Sequence, residues 1–156
     1  MHMVARTFWT AEMVRALPDD GKRYETVHGE LLVSPSPRML HQLVHERLMF
    51  ALGAYTRAVQ VGQLFSSPAD ISWGPDVLVQ PDLFVADLAE TRSGQWANVQ
   101  HLLLAVEIVS PSSLRADRFT KRTLYQRAGV EKSRRRWQPA GAHGAPEIPL
   151  AALFAG

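Results

Sequence analysis

Leu102-Leu103-Leu104-Ala105-Val106-Glu107-Ile108-Val109 is the stretch on which the fold turns. A run that is apolar at successive positions puts apolar side chains on both faces of a strand. The pattern therefore predicts a strand over 102–109, covered on both sides and central in a sheet. Only Glu107 interrupts it. An ionised carboxylate in such surroundings costs on the order of several kcal/mol unless it is paired or binds a metal. Alternation sets Leu103, Ala105, Glu107 and Val109 on one face. The plainer alternative is a strand end, where Glu107 meets solvent or an arginine.

Downstream, 117–128 reads as a helix stopped by Gly129, and Asp117, Lys121 and Tyr125 share one of its faces at four-residue spacing. Upstream, Val77 to Val85 is strand-like but broken by Pro81, which an ordinary central ladder does not accept, so a bend or edge is expected there. Asp82 follows that bend. Shorter strands are expected over 63–66 and 69–73, and a loop or short helix over 88–98. Arg38 to Val59 is the clearest helix, with Leu40, Leu43, Val44, Leu48, Ala51, Leu52, Tyr55 and Val59 forming one apolar stripe. Ahead of it, Arg23–Val27 and Leu31–Val33 flank His28-Gly29-Glu30 as a hairpin. A first helix is capped by Thr10 and stopped by Pro18. From Lys132 the chain is rich in turn formers, and 149–156 looks like a short closing helix. The order predicts an α/β domain, a mixed sheet with helices packed on it, over 1–156.

The chain has 156 residues, 46% of them hydrophobic and none of them Cys, which suits one domain with its own core. Without Cys, disulfide scaffolds, thiolate zinc sites, iron–sulfur clusters and Cys nucleophiles are excluded. No apolar run approaches the ~18 residues of a membrane helix, and residues 1–6 do not resemble a secretory leader, so a cytoplasmic setting without membrane contact is expected. Charge is divided unevenly: 8 basic against 12 acidic side chains precede residue 111, and 9 against 3 follow it. A basic stripe from Arg115 to Arg136 on a nearly neutral protein suits a polyanion. A solvated helix face is the alternative.

Asp82 and Glu107, two acids on neighbouring strands in apolar surroundings, suit a hard divalent cation, Mg²⁺ or Mn²⁺ rather than Zn²⁺. Lys121 beside them suits orientation of a nucleophile or compensation of charge on a phosphate; taken singly it also reads as a surface pair with Asp117. His41 and His45 are one helical turn apart but lack the zincin order His-Glu-x-x-His. Neither a Gly-x-Ser-x-Gly elbow nor a phosphate-cradling Gly-rich loop occurs.

These residues occur within an ordered set: 24–37 (Tyr-Glu-Thr-Val-His-Gly-Glu-Leu-Leu-Val-Ser-Pro-Ser-Pro), His41, 79–85 (Val-Gln-Pro-Asp-Leu-Phe-Val), 106–113 (Val-Glu-Ile-Val-Ser-Pro-Ser-Ser), then Asp117, Lys121, Tyr125 and Gly129-Val130. In this the chain resembles the Uma family of restriction endonucleases, assigned to the PD-(D/E)xK nuclease superfamily, over about residues 8–131. The resemblance implies a restriction-endonuclease-like fold, a mixed central sheet flanked by helices, and a Mg²⁺- or Mn²⁺-dependent endonuclease that hydrolyses phosphodiester bonds of DNA. Asp82 and Glu107 would be its metal-binding carboxylates, Glu30 the upstream acid and Lys121 the catalytic lysine. His41 and Asp70 would support them from behind. Arg115, Arg118, Arg122 and Arg127 would contact the nucleic-acid backbone, and a homodimer would be the assembly.

Two departures qualify the likeness. The superfamily pattern places its lysine two residues after the glutamate, where this chain has Val109; Lys121 on the following helix takes that part. After Glu131 the family continues into a Tyr-Trp-Ile-Val-Asp-like core strand and a hairpin, whereas this chain passes to Lys132-Ser-Arg-Arg-Arg-Trp137. The pattern is that of an internal deletion, with 132–156 a divergent tail. The alternative function is therefore an inactive nuclease-fold homologue that binds nucleic acid or another partner.

Overall fold

The computed structural model describes residues 7–109 and 116–130. The tail from Lys132 and the expected closing helix lie outside them. Helix α1, Ala11–Arg15, begins where the Thr10 hydroxyl accepts the N–H of Met13. Strands β1, Arg23–Val27, and β2, Glu30–Ser34, form the hairpin, closed by His28 and Gly29 at φ 49° and 80°. Two consecutive positive φ values are what a tight hairpin turn demands, and glycine supplies one without strain. The long helix α2 spans Met39–Val59. Beyond it come β3, Gln63–Ser66, β4, Ile71–Gly74, β5, Val77–Val79, and β6, Leu83–Ala86. A short α3, Leu88–Thr91, and a 3₁₀ turn, Trp96–Asn98, lead to β7, Leu102–Val106. A π-helical turn, Ala116–Lys121, runs into α4, Arg122–Arg127.

The scaffold is α/β, as the pattern requires, but the described strands form two antiparallel sheets instead of one mixed sheet: β2-β1-β5-β4 and β3-β6-β7. Pro81 is the physical reason. It has no N–H for a ladder, so pairing stops at Val79 and resumes at Leu83 in the other sheet. The crossing is held by Ser67, whose hydroxyl donates to the Pro81 carbonyl at 2.5 Å and whose N–H donates to that of Asp82 at 3.2 Å. Among the described strands β6, not β7, is the middle one of its sheet, and β7 ends at Val106, before Glu107.

One apolar core joins the two sheets. Val27, Ile71 and Val79 from the first pack with Phe84, Ala86 and Leu102 from the second, closed by Leu124 and Tyr125 of α4. The opposite face of β6 meets α2 through Leu83, Val85 and Leu52. The stripe expected on α2 is only half buried: Val44 and Leu52 are inside, whereas Leu40 and Leu43 are exposed, as are Met39 and Phe50 beside them.

Glu90 of α3 ties down the entry to β7. Its Oε2 accepts the N–H groups of Gln100 and His101, each at 2.9 Å, and its Oε1 lies 2.5 Å from His101 Nδ1. Burial pushes the Glu90 carboxyl upward, but its bonds with His101 outweigh that and hold it low, while the bond to Glu90 raises the His101 imidazole. A raised folded-state pKa means the pair's contribution to stability is complete below the ordinary value of 6.5 and is lost as pH rises through the folded midpoint. An NMR titration should give His101 a midpoint above 6.5, returned to about that value by Glu90→Gln; a midpoint at or below 6.5 in the wild type would show that the pair does not form.

Candidate active site

Strands β6 and β7 are paired with Leu83 opposite Val106. One residue further on, that register sets Asp82 opposite Glu107, both on the face that carries Phe84 and Ala105. The strands are still adjacent there, because the Ile108 N–H donates to Asp82 Oδ2 at 2.7 Å. Like charges directly opposite one another destabilise a strand pair. Two sets of basic or proton-donating groups offset that here.

Arg23, the first residue of β1, serves Asp82. Its Nη2 donates to Asp82 Oδ1 at 2.7 Å and its Nη1 to the Gln80 carbonyl at 3.0 Å. His41, in the first turn of α2, brings Nε2 to 3.2 Å from Asp82 Oδ2, and His45 one turn later brings Nε2 to 3.1 Å from the Asp82 carbonyl. Burial pushes the Asp82 carboxyl upward, but the charge of Arg23, the Ile108 N–H and His41 together hold it below the ordinary value. Burial likewise opposes the charge on Arg23, and Asp82 more than restores it.

Lys121 serves Glu107. Its Nζ lies 3.1 Å from Glu107 Oε1 and 2.8 Å from Glu25 Oε2, with the lysine side chain 1% exposed and that of Glu25 0%. The Tyr125 hydroxyl, one turn along from Lys121, donates to the same Glu107 oxygen at 2.5 Å. Glu25 in turn accepts the Gln80 N–H at 2.7 Å, and the Gln80 side chain donates to Asp70 at 2.8 Å. Glu25 belongs to the first sheet and Glu107 follows the last strand of the second, so one ammonium joins the two. The helix opens with a π-helical turn that ends at Lys121, an irregularity frequent at functional sites.

The structure thus brings Asp82, Glu107, Lys121 and His41 together, with Asp70 behind them through Gln80. Glu30 does not join them. It opens β2 at the exposed turn end of the hairpin, opposite Val27, and lines an open groove of about 390 Å³ with Phe119, Thr123 and Arg127. The hairpin acid at Lys121 is Glu25, two strand positions further in, roughly 7 Å along the strand. Arg127 is exposed on α4 and Arg122 is half-buried. Arg115 lies outside the described residues, as does the side chain of Arg118. Sequence reasoning missed Glu25, Arg23 and Tyr125. The only available signal for Glu25 was an acid inside a short strand otherwise set to pack.

No group of three His, Asp or Glu side chains among the described residues is placed to hold a metal ion. Asp82 and Glu107 supply carboxylate oxygens, the donor type that a hard divalent ion takes. Mg²⁺ is usually held by one or two carboxylates, with water and substrate phosphate completing its shell.

The scaffold that places these groups is shared with a solved structure. The crystal structure of a "putative nuclease belonging to DUF820" from Anabaena variabilis ATCC 29413 is similar to it, with a TM-score of 0.62 over 94% of this chain and 91% of that one. The identity is 14%, so the likeness speaks for the fold alone. Sequence decides the family: the model for Uma2, "Putative restriction endonuclease", matches residues 11–133, and the chain belongs to that family. The match stops close to Glu131, where the sequence departs from the pattern of the resemblance. No curated protein matches the chain. No helix among the described residues is long and apolar enough to cross a membrane.

Lys121→Met would leave Glu25 and Glu107 facing each other without their shared cation. Loss of one partner from a buried ion cluster costs about 3–5 kcal/mol. Urea unfolding at neutral pH should show a loss of that size, partly recovered when Glu25→Gln is added to Lys121→Met. A loss that the second substitution does not relieve would mean that Glu25 is not what Lys121 compensates.

Proposed function

We propose that this Uma2-family chain is a divalent-metal-dependent endonuclease that hydrolyses phosphodiester bonds of DNA in the cytoplasm. What supports the reading is the register of β6 and β7, which continued one residue past Leu83 and Val106 sets Asp82 opposite Glu107, with Lys121 bonded to Glu107. Restriction-endonuclease-like families generally use divalent metals, and here Asp82 and Glu107 would hold Mg²⁺ or Mn²⁺. Such an ion supplies Lewis acidity, polarising a phosphoryl oxygen and acidifying water. Before the ion binds, Arg23, His41 and the Ile108 N–H hold the Asp82 carboxylate, while Lys121 and Tyr125 hold that of Glu107. Arg122 and Arg127, continuing the basic stripe along α4, attract the phosphate backbone, with an affinity that falls as salt rises.

A second reading, an inactive homologue that binds nucleic acid, is favoured by one feature: Arg23 and Lys121 already compensate most of the acid charge. Calorimetric titration with Mn²⁺ separates the two. Saturable binding to the wild type, abolished in Glu107→Gln, supports the enzyme. DNA cleavage in Mn²⁺ should then fall at least about a hundredfold in that variant, the scale seen when one preorganised electrostatic group is removed. No binding by folded wild-type protein would leave the inactive reading.

We also propose that two copies pair through α2. Phe50 is 71% exposed on a helix face shared with Leu40 and Leu43. An antiparallel two-fold pairing centred between Glu46 and Arg47 sets Leu43 opposite the partner's Phe50, apolar against apolar, which makes the patch self-complementary. Light scattering after gel filtration should find a dimer, converted to monomer by Phe50→Glu; a monomeric wild type at micromolar concentration overturns the pairing.

A further inference from the structure

Resting on the metal-dependent reading above, we propose that Arg23 is an internal counter-ion standing in the cation's place at Asp82. A divalent ion displaces it, and the released guanidinium takes a phosphate oxygen of the substrate.

Two cations face the three acids of the site, and they differ in how they are held. Lys121 is enclosed between two carboxylates and 1% exposed. Arg23 stands at the solvent boundary, with its side chain 20% exposed. Its grip on Asp82 is end-on: Nη2 alone reaches Oδ1, while Nη1 is spent on the Gln80 carbonyl. A two-pronged Arg–carboxylate pair is the stronger geometry, and this is not one.

Asp82 is built to survive the exchange. Its Oδ2 is held by the Ile108 N–H and His41, neither of which depends on Arg23. Oδ1 is therefore the oxygen that changes partner, and the carboxylate need not rotate. The charges of Glu25 and Glu107, as well as that of Asp82, favour the guanidinium where it stands. A dication among the same acids reverses that preference by repelling it. Arg23 is anchored at the start of β1, so the exchange needs only side-chain rotation, toward the solvent side from which a phosphate arrives. A planar guanidinium that is always charged is well suited to bind that phosphate.

A merely structural Arg23 and a displaceable one predict opposite signs for the metal. If Arg23 competes with the ion, Arg23→Gln binds Mn²⁺ at least about tenfold more tightly than wild type, the scale of one charge-assisted hydrogen bond. Arg23→Lys, which keeps the competing charge, stays close to wild type. Affinity for a 20-base-pair DNA duplex, measured with Ca²⁺ in place of Mn²⁺, falls in Arg23→Gln. Weaker or unchanged Mn²⁺ binding in that variant overturns the exchange while leaving the metal reading intact. An absence of Mn²⁺ binding in wild type and variants alike removes both. Should Arg23→Gln fail to fold, the wild type decides: Mg²⁺ must shift the Arg23 Nε–H resonance, and a resonance unmoved at saturation overturns the proposal.

Discussion

The buried ammonium of Lys121, between Glu25 and Glu107, is the interaction on which the rest of this structure depends. Taking three charges out of water is expensive, and only close mutual contact offsets the cost. The lysine therefore specifies position more than it adds stability. Glu25 must come from the first sheet, Glu107 from the end of β7, and the helix must present Lys121 and Tyr125 on one face. Loss of any one partner leaves a charge uncompensated in the core. The apolar cluster that joins the sheets, from Val27 to Phe84 to Leu124, brings the surfaces together without deciding their register as strictly.

Around that link the acids outnumber the bases. Glu25, Asp82 and Glu107 face Arg23 and Lys121, with His41 alongside. In a partly buried site with more carboxylate than cation, further positive charge is favoured. That excess of acid explains why Asp82 is so heavily supported, by an arginine, a histidine and a backbone N–H.

Much of the site was legible in the chain because its residues break local rules. Glu107 stands out in an apolar run, Asp82 follows a proline that cannot sit inside a ladder, and Lys121 shares a helix face with Tyr125. The family resemblance made Glu30 the upstream acid, whereas Glu25, buried and ion-paired with Lys121, sits in a strand with no clean alternation. Arg23 looked like an ordinary strand-start residue, and Tyr125 a helix-face companion of Lys121. Their importance comes from partners some 60 residues and 18 residues away in sequence, respectively. The α2 stripe misled in the other direction: periodicity shows which side chains share a face, but not whether anything covers it.

Local order was determined by the sequence alone: the capped first helix, the hairpin at Gly29, the long helix, the break at Pro81 and the strand before Glu107. Each depends on backbone geometry and near neighbours, which the chain carries within a few residues. The tertiary structure decided how the strands divide into two sheets, which of two hairpin acids meets Lys121, and that Arg23 rests on Asp82. Those outcomes depend on distances between segments far apart in the chain. A buried charge is acceptable only where a partner arrives within bonding distance, so packing, rather than spacing, selected the site.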